Sequence, residues 1–198
     1  MNIVFLHRKE SVVLTAIDII NELGIQGLST KELAKRQGIS EGTLFKHFRS
    51  KNEIILSVLD HFAKYDKDIF ESCTKKNLKP SEALLFVADS CASYYENYPA
   101  ITAIPQLYEF LAHDDELGQK LNQILDFRAQ SIKQIIEAAQ ASGELRQDVD
   151  SQILLHIIIG SFRNICFNWR MQQNNFSLRE RVVLTLRTVL QAFSSNHE

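Results

Sequence analysis

Between Ser29 and Lys51 two helical patterns are separated by a single glycine. Each is shorter than the roughly 12 residues a helix needs to persist alone in water, so both must pack on neighbours. Leu33 and Ala34 fall on one side of the first pattern, leaving Lys31, Lys35 and Arg36 for another face. Gly38 suits the left-handed backbone that stops a helix within one residue. Ile39 then returns to the core, and Ser40 is placed to cap a second helix carrying Gly42, Thr43, Leu44 and Phe45. The spacing predicts a helix-turn-helix, whose second helix is shaped for the major groove of DNA.

The flanking chain supplies the neighbours. Val13, Ala16, Ile17 and Ile20 recur at helical spacing from about Arg8 to Leu23, with Gly24 as the stop. Ser29-x-x-Glu32 and Ser50-x-x-Glu53 have the form of capping boxes. The second opens a fourth helix, about 51–66, whose Ile54, Ile55, Val58, Leu59 and Phe62 form an apolar stripe. A polar connector is expected up to Lys79, then a helix opened by Pro80 and closed by Pro99. A short helix around Ile104 to Ala112 comes next, and a long one runs from Asp114-Asp115-Glu116 to Gly143. The three acids suit the positive end of a helix dipole, with a metal site as the alternative. Asp148 or Asp150 caps a helix to about Gln172, and Ser177-x-x-Glu180 starts the last. With only seven glycines and three prolines in 198 residues, the expectation is an all-α chain of about nine helices. Residues 1–50 form a three-helix head and 51–198 a larger helical body, linked by helix four.

Charge is unevenly spread. Lys31, Lys35, Arg36, Lys46, Arg49 and Lys51 face only Glu32 and Glu41 within 31–51, a local +4 that leaves −6 for the rest of a chain of net −2. A small basic patch on a mildly acidic body suits local contact with phosphates. No apolar run reaches the roughly 18 residues that span a bilayer, and Ile3 to Leu6 is too short for a signal-peptide core, so a cytoplasmic protein is expected. Cys73, Cys91 and Cys166 show no metal or disulfide spacing and read either as buried structural thiols or as a redox sensor.

The eighth helix is apolar on more than one face, and the ninth over a wide arc. The spare surface is expected to bury against a second copy, with Leu155, Ile159, Phe162, Val183, Leu186 and Leu190 as candidates.

The run Leu33-Ala34, Gly38-Ile39-Ser40, Gly42-Thr43-Leu44-Phe45, His47-Phe48 and Lys51 resembles the helix-turn-helix of TetR-type bacterial transcriptional regulators. The close resemblance covers about Val12 to Phe62. It implies a homodimeric, sequence-specific DNA-binding regulator, a repressor released by a small ligand, binding a palindromic double-stranded operator. It also implies DNA contacts from Ser29, Thr30, Gln37, Ser40, Glu41, Gly42, Thr43, Phe45, Lys46, His47 and Lys51. In the family the position of Phe45 is usually tyrosine with its hydroxyl on a phosphate; phenylalanine removes that bond. Glu41 either accepts from a cytosine amino group or merely stabilises its helix N-terminus.

By the same resemblance the body binds an effector, expected to be small and apolar or amphipathic. Phe86, Tyr94, Tyr95, Tyr98, Tyr108, Phe127 and Trp169, with Arg128, Asn164 and Asn168, either line that pocket or belong to the core. No cofactor or metal is expected. The six histidines form no triad or metal spacing and no phosphate loop is present, which argues against an enzyme. An adaptor using the head as a protein-binding surface is the alternative, but it would not need Lys46, His47, Arg49 and Lys51 beside the second helix.

Overall fold

The computed structural model describes residues 3–195. Among them are nine α-helices, one 3-10 helix and no strand beyond an isolated bridge between Leu145 and Ser194. The helices are α1 (Ile3–Gly27), α2 (Thr30–Gln37), α3 (Glu41–Leu44), α4 (Lys51–Lys75), α5 (Pro80–Asn97), α6 (Tyr108–Leu111), α7 (Asp115–Ala141), α8 (Ser151–Met171) and α9 (Leu178–Ala192); the 3-10 helix is Pro99–Leu107. The all-α expectation is borne out. By packing, the chain divides into one unit of Met1–Tyr65 with Tyr98–Ile124 and a second of Asp66–Asn97 with Leu125–Glu198.

In the first unit α1 is the central element. Val12, Ala16, Ile17, Ile19 and Ile20 are buried along it, and it packs on both α2 and the 3-10 helix. Gly24 interrupts α1 with φ 68°, a backbone state open to glycine at little cost, as its position predicts. Ile54, Ile55, Val58, Leu59 and Phe62 of α4 complete the expected apolar stripe.

Two expectations about boundaries are corrected. The polar stretch after about residue 66 is not yet a connector: α4 continues to Lys75. Ile69 and Cys73, four apart, keep one face buried, while Lys67, Glu71 and Lys75 pair along the other at 3.9 and 4.0 Å. The short helix expected around Ile104 to Ala112 is instead the 3-10 helix followed by one α-turn. Pro105 lies inside the 3-10 segment, where its missing N–H and locked φ disfavour a regular α-helix.

The acidic triplet is a cap. Asp114 Oδ1 accepts the N–H groups of Glu116 and Leu117 at 3.1 and 3.0 Å, and Oδ2 accepts from Asn52 Nδ2 at 3.0 Å. These bonds hold its carboxyl below the ordinary range. Among the described residues no His, Cys, Asp and Glu cluster is arranged to hold a metal ion.

In the second unit α9 packs on α5 and α8. Leu84, Ile132, Ile136, Leu154, Leu155, Leu186 and Leu190 form its core. The start of α9 is tied to α5: the Leu178 N–H donates to Glu96 at 3.1 Å, and Arg179 Nε donates to Asp89 Oδ1 at 2.6 Å. Asp150 and Ser177 cap α8 and α9 as expected. No helix among the described residues is long and apolar enough to cross a membrane.

Candidate nucleic-acid interface and effector body

The helix-turn-helix is held by side-chain caps at both starts and a glycine between them. Ser29 is extended, and its Oγ accepts the Glu32 N–H at 3.1 Å. Glu32 does not return to the cap; its carboxylate accepts from Arg36 Nε at 2.9 Å instead. Gly38 sits at φ 63°, ψ 32°, which lets the Ile39 N–H reach Ala34 O at 3.0 Å and close the helix. Ser40 Oγ then accepts the Thr43 N–H at 3.1 Å and lies 3.0 Å from the Thr43 hydroxyl. The second helix is a single α-turn, prolonged by His47 and Phe48 N–H groups on Leu44 O at 2.9 and 3.1 Å. Leu33, Ala34, Leu44 and Phe48 are buried beneath it, while Ile39 is only half-buried.

The exposed side of this motif is cationic. Lys31, Lys46, Arg49 and Lys51 are exposed, with no ion pair among the described residues. Arg36 differs: it is 2.8 Å from Glu22 and 2.9 Å from Glu32, so its charge is compensated within the fold. Lys35 also meets Glu32, at 3.9 Å. Of six cations in the basic stretch, four therefore remain open to an external anion. The Phe45 ring, 49% exposed, lies among them, and His47 beside it is half-buried.

Besides the capping serines, two more predicted contacts are engaged internally. Gln37 is turned toward α1, where its Nε2 donates to Thr15 Oγ1 at 2.6 Å and to Ser11 O at 3.2 Å, and its Oε1 accepts from Ser11 Oγ at 3.1 Å. Thr30 Oγ1 donates to Glu41 Oε2 at 2.6 Å, joining the first residues of α2 and α3. Periodicity missed both ties because their partners lie elsewhere in the sequence.

Gly42 is exposed, and nothing in the fold requires it. A Cβ built there would lie 3.8 Å from Ser40 Oγ, an ordinary contact. Gly42→Ala is expected to melt at or slightly above the wild-type temperature, since alanine favours a helix over glycine by about 1 kcal/mol. DNA affinity should nevertheless fall by about 1–3 kcal/mol if the missing side chain leaves room for the duplex. Thermal melts beside DNA titrations check this, and unchanged affinity would remove Gly42 from the interface.

Residues 13–58 match the model for bacterial regulatory proteins of the tetR family, and residues 49–192 that for the YsiA-like protein C-terminal region. The chain belongs to the tetR family. It is a sequence-specific DNA-binding transcriptional regulator. Among its relatives is the fatty acid metabolism regulator protein of Bacillus subtilis (strain 168), 24% identical over 172 residues, or 84% of this chain and 86% of that one. In fold it is similar to the transcriptional regulator FadR from Bacillus subtilis, solved in complex with stearoyl-CoA, with a TM-score of 0.80 at 22% identity over 95% and 99% of the two chains. The fatty acid degradation regulator FadR from Bacillus halodurans gives a TM-score of 0.81 at 18% identity over 92% and 94%.

In this tetR-family regulator the candidate effector residues are shared between the two units. Tyr98 and Tyr108 belong to the first unit and the others to the second. Trp169 is a core anchor, 2% exposed, with its indole N–H on Phe176 O at 2.9 Å. Tyr95 is buried against Phe162, ring centroids 5.9 Å apart, with half-buried Tyr94 beside it at 6.0 Å. Half-buried Phe86 lies under Lys76 Nζ at 4.4 Å, while Asn164 and Asn168 are exposed. Phe127 is exposed and meets the edge of Phe70. Arg128 Nε and Nη2 donate to Asp66 Oδ2 at 3.0 and 2.7 Å, a largely buried ion pair.

The thiols near that pair are poor nucleophiles. Burial pushes Cys91 and Cys166 up to about 12 and raises Cys73 as well, so little thiolate exists at neutral pH. This favours the structural reading of the cysteines.

The residues expected at a dimer face divide into two groups. Leu155, Leu186 and Leu190 lie in the core of the second unit, and Ile159, Phe162 and Val183 are half-buried. The large apolar groups left outside are Ile153, Phe167 and Met171 on α8 and Leu184 on α9. Spacings of 14 and 18 residues put the three α8 side chains within about 40° of one another around the helix. Half-buried Ile157 and exposed Gly160 fall on the same stripe, and a Cβ at Gly160 would meet nothing within 4 Å.

Proposed function

We propose that the protein is a cytoplasmic repressor that acts by binding rather than by catalysis, as a homodimer on a near-palindromic operator. Residues 1–50 are its DNA-binding head and residues 51–198 its effector-binding and dimerisation body. The observation that carries this reading is the capped turn bearing Gly42, Thr43 and Phe45 among four open cations, Lys31, Lys46, Arg49 and Lys51. Ser29, Ser40, Lys46, His47 and Lys51 serve the phosphates, while Glu41, Gly42 and Thr43 face base edges. Gln37 acts as a brace from the end of α2 to α1 rather than as a contact. The exposed α8–α9 stripe is the dimer face, and it places two heads about 34 Å apart in successive major grooves.

An apolar or amphipathic effector binds the body and shifts the population toward heads wrongly spaced for DNA. The relatives named for fatty acid regulation, one of them bound to stearoyl-CoA, support an acyl-chain ligand.

Selection of operators from random duplexes tests the whole reading. A near-palindrome whose affinity falls steeply with salt, and falls further on adding an acyl-CoA, is the expected result. Failure to enrich any site would sink it. On the selected site, Lys51→Ala should flatten the slope of log K against log salt by about 0.9, because one phosphate contact releases that much counterion. Lys51 stands in the first turn of α4, where the helix dipole disfavours a cation, so an external phosphate accounts for it better than the fold does.

A further inference from the structure

We infer that Glu41 reads a cytosine in each half-site, and that Thr30 is the positioning residue that aims it. This rests on α3 entering the major groove. Glu41 is an exposed carboxylate on the cationic face, yet it pairs with none of Lys31, Lys46, Arg49 or Lys51 among the described residues. Its partner is a neutral hydroxyl: Thr30 Oγ1 donates to Oε2 at 2.6 Å. Serving the N-terminus of α3 would require nothing from Thr30, and α3 is one turn long, so its dipole is small. The bond instead links the first residues of α2 and α3 and removes the rotamer freedom a surface glutamate otherwise keeps.

A carboxylate fixed on a DNA-binding face is repelled by phosphates unless it meets a donor. In the major groove the base-edge donors are the amino groups of cytosine and adenine; guanine and thymine present acceptors there. Adenine sets its N7 acceptor beside its donor, which opposes a second negative group. Cytosine carries only C–H on that side, leaving O6 of the paired guanine as the one adjacent acceptor, so it is the base that better satisfies Glu41. Thr30, for which the family resemblance implies a DNA contact, spends its hydroxyl proton on this carboxylate.

Operator selection with four proteins tests the inference: wild type, Glu41→Gln, Thr30→Val and Thr30→Ser. Wild type should enrich one invariant C·G pair per half-site. Glu41→Gln should move that position toward adenine, which an amide can bind through both N6 and N7, and lower affinity for the wild-type site by about tenfold. Thr30→Val should cut the cytosine preference at that one position with the salt slope unchanged, and Thr30→Ser should restore it. A purely structural role for Thr30 would weaken all sequences alike. If wild type enriches no site, both the groove reading and this inference fail. If wild type enriches a site and Glu41→Gln enriches the same one, the groove reading stands and this inference is overturned.

Discussion

Replacing Arg128 with alanine is expected to destabilise the protein by about 3–5 kcal/mol, because it leaves a buried charge without its counter-ion. The Asp66 side chain is 7% exposed and that of Arg128 19%, and both described guanidinium bonds fall on one carboxylate oxygen, Oδ2. The loss should depend on pH. Burial already holds the folded-state pKa of Asp66 above its ordinary 3.8, against the pull of Arg128. Removing Arg128 takes away the opposing charge and raises it further. A carboxyl raised in the folded state favours folding when protonated, and that contribution fades as pH rises through the folded value. Arg128→Ala should therefore lose least in acid and most at neutral pH and above. Urea denaturation at pH 5 and pH 8 measures the difference, and a variant as stable as wild type at pH 8 would show that the pair contributes nothing. Asp66→Leu with Arg128→Met, which removes both charges and keeps the volume, should recover most of the loss.

The second large effect is expected at the outer stripe of α8 and α9. Leu184→Glu combined with Met171→Glu should yield a folded monomer whose operator affinity drops by about 10²–10⁴-fold, the advantage lost when two heads no longer bind as one molecule. Leu184 is 64% exposed and Met171 67%, so charges there cost the isolated protomer little. Leu155→Glu should behave differently and unfold the second unit, since Leu155 lies in its core. Sedimentation and circular dichroism of the two variants separate the outcomes. A double variant that still sediments as a dimer would place the interface elsewhere.

Much of the fold was legible because caps are local. Ser29, Ser40, Asp150 and Ser177 each sit within three residues of the N–H they accept, so spacing alone identifies them. Gly38 was legible for the same reason. The end of α4 was not, because a solvent-facing helix with Lys–Glu pairs four apart has the composition of a loop. The burial of Leu155, Leu186 and Leu190 was not legible for another cause. A helix apolar nearly all round gives no periodic signal for which side faces its own core, and only the packing of α9 against α5 and α8 decides that. The candidate DNA face was legible in its cations but not in their pairing. Arg36 is spent on Glu22, and Gln37 on Ser11 and Thr15, all on α1 and distant in sequence.

The bond between Trp169 and Phe176 O gives the protein a built-in optical reporter. Trp169 is the sole tryptophan of the chain, and its indole is shielded from water. Its fluorescence should be blue-shifted in the native state and move to longer wavelength when the second unit opens, while the helix-turn-helix stays spectroscopically silent. Ellipticity at 222 nm reports every helix, so the two signals followed through one melt show whether the units come apart together or in sequence.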